Sequence, residues 1–385
     1  MLRTATSPWR PACWMLGSLG LLLLLGLAAA ATAAPPGQAW QSLGLHALHL
    51  GLGLAVFLAA LSVPVERVRQ CAPGALLAVW MLLAGMLLDG RLSVSAFGAS
   101  RWVSVAGFHF QPSAFLQFLW PVALASWAAR DPLRLRSPRA LLRLFLVFAF
   151  LAAPVLLQPD LGSVLILFGV TGITLVFAGA PLAYLRWLAP AAVGIAALAS
   201  LLFDHVVQRV VGFLRDEPYQ LRMAWEALQL GGLTGRGPGR GLVKGYIPEG
   251  DTDFILAVLG EEWGLPGTLA VWILFLVFTC AAVQVARRAP RRYGAILMAS
   301  AAVMISVQAA INMAVVTGAV PPKGLPLPFI SRGGSAVLAL SALLGVALRA
   351  ALEERRPRPV LEAAAPGPRL RSWPLLPSEG PPRPA

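Results

Sequence analysis

Mainly apolar runs recur along the chain with cores near 13–34, 43–64, 74–89, 113–129, 140–157, 162–180, 182–203, 266–286, 294–317 and 334–352. A helix that crosses a bilayer needs about 20 such residues. The pattern therefore predicts an all-α polytopic membrane protein with about ten transmembrane helices. The first run follows Arg3 and Arg10 and ends in Ala-Thr-Ala-Ala, as a signal peptide does; the further spans behind it favour an uncleaved helix. One long interruption, about residues 204–265, separates predicted helices 7 and 8. Residues 1–352 thus read as a membrane domain. Residues 353–385, rich in Pro, Ala and Arg without a periodic apolar face, read as a disordered cytoplasmic tail.

Within the long interruption, Pro218 to Leu228 spaces its apolar residues as a short surface helix does. A glycine run follows from Gly231 to Gly241. It fits either backbone N–H groups approaching a phosphate or a flexible basic loop near lipid headgroups. Residues 254–286 would make one helix of about 50 Å, longer than the bilayer core. Gly264-Leu-Pro266-Gly267 supplies a break, so Phe254 to Trp263 is expected as a partial helix ahead of the span. Pro321 to Ser335 is a loop stiffened by Pro and Gly.

Composition agrees with the pattern: 58% of residues are hydrophobic, only 12% are charged and the mean hydropathy is +0.73. The formal charge of +14 gains meaning from its placement. With the amino terminus inside, Arg67, Arg69, the cluster from Arg130 to Arg143, Arg186 and the Arg287 to Arg292 turn all fall on the cytoplasmic side, as the positive-inside rule requires. Both termini are then cytoplasmic. This distribution speaks for membrane lipids and against nucleic acid. Cys13, Cys71 and Cys280 are isolated and define neither a disulfide framework nor a zinc site.

Against that background, residues 244–264 are anomalous, because Glu249, Asp251, Asp253, Glu261 and Glu262 supply five of the chain's 17 acids. A charge at bilayer depth costs at least about 2.5–3.5 kcal/mol, so such acids must be paired, wet or catalytic. Asp253 lies at the amino end of the partial helix, where the dipole favours an anion. Glu261 and Glu262 lie deeper and are expected to hold the bundle together. Asp160, in the tight Gln158-Pro-Asp-Leu-Gly162 turn, reads either as a helix cap or as a site residue at the same membrane edge.

Four stretches resemble the SEDS family (shape, elongation, division and sporulation), which includes RodA and FtsW. They are Gly98-Ala-Ser-Arg101-Trp with Phe110-Gln111-Pro-Ser113; Gln158 to Gly162; Tyr219-Gln220 through the glycine run to Asp253 and Gly260-Glu-Glu262; and Gly324 to Ser331 with Gly333-Gly-Ser335. The resemblance implies a peptidoglycan glycosyltransferase of the bacterial cytoplasmic membrane that polymerises lipid II on the outer side. The family's essential acid falls on Asp253, the expected general base, with undecaprenyl pyrophosphate as leaving group. Expected substrate-binding residues are Arg101, Gln111, Ser113, Asp160, Tyr219, Gln220, Arg236, Arg240, Lys244, Glu249, Lys323, Ser331 and Arg332. A divalent cation is a possible cofactor, and a class B penicillin-binding protein transpeptidase the implied partner. The family's PSE-x-x-K has Ala114 and Gln117 here, its Ala-His before Thr-Asp is Gly250-Asp251, and Lys323 and Arg332 stand where Thr and Tyr are usual. Asp251 is expected to push the Asp253 carboxyl upward. Two rival functions are a lipid-linked precursor flippase and an inactive scaffold for a transpeptidase.

Overall fold

The computed structural model describes residues 8–34, 37–88, 94–96, 99–105, 108–215 and 218–353. The tail expected to be disordered, apart from Glu353, lies outside these residues, as does Arg3. Apolar runs fold as α1 Trp9–Ala33, α2 Ala39–Ser62, α3 Val65–Leu88, α4 Pro112–Arg130, α5 Pro138–Leu157, α6 Leu161–Phe177 and α7 Leu188–Leu202. The polar interval holds α8 Asp204–Arg215 and α9 Tyr219–Gly231; α10 Ile255–Arg288, α11 Arg292–Val316 and α12 Gly334–Leu352 complete the bundle. Among the described residues, eight helices are long and apolar enough to cross a membrane. This is a polytopic helical membrane protein. Helix α6 is shorter, at 17 residues, and α4 is diluted by Gln117, Ser126 and Pro121.

Helices α11 and α12 form the centre. Buried residues make up 72% of the most apolar window in each, against 17% in α2 and 22% in α3. Small residues permit the close crossings. A Cβ on Gly345 would come within 2.7 Å of the Phe57 carbonyl, and one on Gly294 within 2.1 Å of the Ala350 carbonyl, as glycine-mediated packing in membranes predicts. Helix starts carry their own signals: Pro112 and Pro138 occupy first turns, Ser137 caps α5, and Asp160 caps α6 by accepting the Ser163 N–H at 3.2 Å.

Two features matter for the site. Gly264 takes φ 67° and ψ −158°, breaking α10 into a partial helix and a span, as the Gly-Leu-Pro-Gly signal predicts. The segment between α3 and α4 contains a small antiparallel sheet, β1 Val94–Ala96, β2 Ala99–Val105 and β3 Phe108–Phe110, in the order β1-β2-β3. The apolar-run pattern gave no hint of it, because three- to seven-residue strands leave little periodicity to read.

Candidate active site

Asp253 belongs to a tight turn. Glu249 adopts a left-handed backbone with φ 57°, and its carbonyl accepts the N–H groups of Thr252 and Phe254, both at 3.1 Å. The turn ends where Ile255 starts α10. Two side chains then join it to the segment between α11 and α12. Asn312, buried in α11, donates its amide to the carbonyls of Asp253 and Leu325, each at 2.7 Å. Ser331 donates its hydroxyl to the Thr252 carbonyl and accepts the Leu327 N–H at 2.8 Å. Its hydroxyl, expected at the substrate, is buried and engaged in holding two loops together. A Cβ on Gly324 would lie 3.1 Å from Asp253 Oδ2, so this segment lies across the carboxylate.

The α5–α6 turn joins from another side. Lys323 Nζ is 3.8 Å from Asp160 Oδ1, and its side chain crosses Gly162 so closely that a Cβ there would be 1.7 Å from Nζ. Arg101, on β2, donates Nε to the Gln158 carbonyl at 2.8 Å and also reaches the Pro159 carbonyl. Gln111 gives its backbone N–H to Ser335 Oγ at 3.0 Å, and Ser113 is buried in the first turn of α4. Four stretches separated by up to 230 residues or so in the chain thus meet at one end of the bundle.

Electrostatics separates the two central carboxyls. Burial pushes Asp253 up to about 7, reinforced by Glu249 and, more weakly, Asp251, while Lys323 draws it down. For Asp160, burial acts in the same upward sense. There the charges of Lys323 and Arg101, with two hydrogen bonds from Ser163, overcome it and hold the carboxyl below the usual range. One group is therefore a fixed anion, and the other can take up and release a proton near neutral pH. The expected like-charge neighbour needs adjustment. Glu249 acts on Asp253 more strongly than Asp251 does, and Asp251 Oδ2 is paired with Arg332 at 2.6 Å.

Other expected residues have different surroundings. Glu261 accepts the backbone N–H groups of Leu242, Val243 and Lys244. Lys244 donates to Glu262 Oε1 at 2.8 Å, to the Thr32 carbonyl at 2.6 Å and to the Gly239 carbonyl at 3.0 Å. An ammonium has three protons, and here all three are committed to these oxygens. The glycine run packs closely against α10. A Cβ on Gly231 would lie 1.9 Å from the Gly260 carbonyl oxygen, and one on Gly235 would lie 2.4 Å from that of Glu262. These glycines seat the loop on α10. Arg236 and Arg240 stand exposed beyond them, and Tyr219 and Gln220 open α9. No hydrogen bond or ion pair among the described residues joins these four to Asp253.

Asn312 was missed by the sequence reading, although an amide inside an apolar span was a signal for it. Among the described residues, no group of three or more His, Cys, Asp or Glu side chains is arranged to hold a metal ion. The carboxylates nearest Asp253 are also engaged, Glu249 with the Thr252 hydroxyl at 2.7 Å and Asp251 with Arg332. Beside the site helices, an apolar cleft of about 630 Å³ opens between α5, α6 and α7, lined by Phe145, Phe148, Leu156, Phe168 and Ile195 among others.

Fold and site together define a polytopic membrane protein with a buried carboxyl, Asp253, beside Lys323, Glu249 and Asp251 at one bundle end. The sequence profile of the Cell cycle protein family, FtsW/RodA/SpoVE, matches residues 9–356. The probable peptidoglycan glycosyltransferase FtsW of Caulobacter vibrioides is 32% identical over 358 residues, covering 91% of this chain and 90% of that protein. Its namesake from Tolumonas auensis is 33% identical over 368 residues, covering 90% and 94%. Among solved structures, a chain of a peptidoglycan synthase complex that coordinates polymerization and crosslinking superposes with a TM-score of 0.73 at 24% identity, covering 88% of this chain and 96% of that one. The rod shape determining protein RodA of Thermus thermophilus superposes with a TM-score of 0.68 at 22% identity, covering 90% and 98%. The chain belongs to the FtsW/RodA/SpoVE family of cell cycle proteins.

Proposed function

We propose that the protein is a peptidoglycan glycosyltransferase of the bacterial cytoplasmic membrane that polymerises lipid II, with Asp253 as general base. The observation that carries this reading is the poise of Asp253 at about 7, the range in which a base both ionises at working pH and retains affinity for a proton. Asp253 takes the proton of the acceptor sugar 4-hydroxyl as that oxygen attacks the donor's anomeric carbon. The bond from that carbon to the pyrophosphate oxygen breaks, and undecaprenyl pyrophosphate leaves with the bonding pair. Lys323 is the cation nearest both central carboxylates; Arg236 and Arg240, exposed on a basic loop, are the groups free to meet phosphate. The apolar cleft beside α5 offers the lipid tail a lateral approach.

Membership of the FtsW/RodA/SpoVE family and the names of the relatives support the reaction class. The likeness to a chain of a synthase complex is consistent with a class B penicillin-binding protein as partner. In this reading the Asp253 end faces outward.

The test is reconstitution of the purified chain, with and without such a transpeptidase, on labelled lipid II. Wild type should yield glycan polymer, and Asp253→Asn should lose at least about a hundredfold, the lower end of what general-base catalysis contributes. Undiminished polymer from the mutant would remove Asp253 from its role. A wild type that moves lipid II across the bilayer without polymerising it would favour the flippase instead, and one that does neither would favour the scaffold.

A further inference from the structure

The turn that carries Asp253 holds a second carboxylate two residues earlier, and the structure gives that group a dedicated partner. Arg332 Nη2 meets Asp251 Oδ2 at 2.6 Å, while the Arg332 backbone N–H donates to the Asp251 carbonyl at 3.2 Å. The two residues are therefore tied through side chain and backbone at once. Both side chains are partly sheltered, with 34% and 26% of their surface exposed, so the attraction is screened less than at an open surface. His46 and His49 of α2 lie within the electrostatic reach of Arg332, and a Cβ on neighbouring Gly334 would come within 2.9 Å of His49 Nε2.

We propose that the Asp251–Arg332 ion pair is a positioning clamp, which fixes the Asp253 turn to the α11–α12 segment and cancels the charge of a carboxylate that would otherwise stand open beside the base. The inference rests on Asp253 being the working base. The groups that set the charge around Asp253 are Glu249 and Asp251 on its own turn and Lys323 from the α11–α12 segment, with Asp160 behind Lys323. Glu249 gives one oxygen to Thr252, and Lys323 is shared with Asp160. Asp251 is the neighbour whose charge a single arginine balances. Removing Arg332 leaves that anion uncompensated; removing Asp251 leaves an uncompensated cation. The two changes should therefore move the protonation of Asp253 in opposite directions. Loss of mere mechanical support would loosen the turn in both variants and move the midpoint in the same direction, because burial is the largest cause of the Asp253 shift.

The full-length purified chain tests this without reliance on turnover. Carbodiimide labels a carboxyl in its protonated form, and peptide mass spectrometry reads labelling at Asp253 as a function of pH. Arg332→Gln should raise the midpoint by about half a pH unit, equivalent to about threefold in ionised fraction on the acid limb. Asp251→Asn should lower it, the double variant should fall between the two, and Arg332→Lys should return towards wild type. Coincident midpoints in folded Arg332→Gln, Asp251→Asn and wild-type protein would overturn the clamp, as would a shift of the same sign in both. Lipid II polymerisation is followed in parallel. Loss of the Asp253 requirement there would defeat the catalytic reading, whereas coincident labelling midpoints defeat only the clamp.

Discussion

Asp253 and Asp160 carry the same side chain and sit near the same cation, yet their carboxyls move in opposite directions because their charged neighbours differ: Lys323 and Arg101 lower Asp160, whereas Glu249 and Asp251 raise Asp253 against Lys323. Asp160 caps a helix and accepts two bonds from Ser163; Asp253 faces Glu249 and Asp251. Polymerisation should therefore rise with pH and level off above about 7, and Glu249→Gln should shift that rise to lower pH by removing the stronger like-charge neighbour. Rates measured from pH 5 to 9 check both. Stability should run the other way. A carboxyl whose folded value exceeds its unfolded value of 3.8 binds more protons in the folded state between about 4 and 7, so its contribution is present at low pH and lost as pH rises through about 7. Asp253→Asn should accordingly melt higher than wild type at pH 8 and lose that advantage at pH 4, read by thermal unfolding in detergent.

At the scale of elements, the loop between α9 and α10 is held by its own acids. Glu261 gathers three backbone donors, and Glu262, with no exposed side-chain surface, meets Lys244. Removing one partner of a buried pair typically costs about 3–5 kcal/mol. Lys244→Met should therefore lower the melting temperature and release the 235–244 loop to proteolysis while leaving the Asp253 turn chemically unchanged. Gly231→Ala should cost about 1–3 kcal/mol by overpacking, since its Cβ would fall on the Gly260 carbonyl. The two acids of Gly260-Glu-Glu262 were legible as bundle-holding candidates. Their partners were not, because Lys244 is 18 residues from Glu262 and lies in a stretch that read as a phosphate site.

At the scale of the molecule, α1 ends where Lys244 reaches Thr32, and α12 begins where Ser335 meets Gln111. Helix α1 thus runs towards the Asp253 face and α12 away from it, so Trp9 and Glu353 both lie at the opposite face. There Arg291 pairs with Glu353 at 3.0 Å and Arg69 stacks on Tyr293. In a background lacking Cys13, Cys71 and Cys280, Tyr246→Cys should react with an impermeant thiol reagent from outside spheroplasts, and Leu133→Cys only after permeabilisation. The reverse pattern would invert the proposed orientation.

The sequence by itself determined the membrane class, the approximate helix cores, the break at Gly264 and the gathering of acids in one stretch, because each depends on local composition and spacing: twenty apolar residues, a Gly-Pro interruption, charge in an oily chain. The tertiary structure alone decided which charges meet. Ion pairing and burial act through space, so only the fold shows Lys244 committed to Glu262, Ser331 turned inward, Arg332 balancing Asp251, and Asp253 left with a proton to exchange near pH 7.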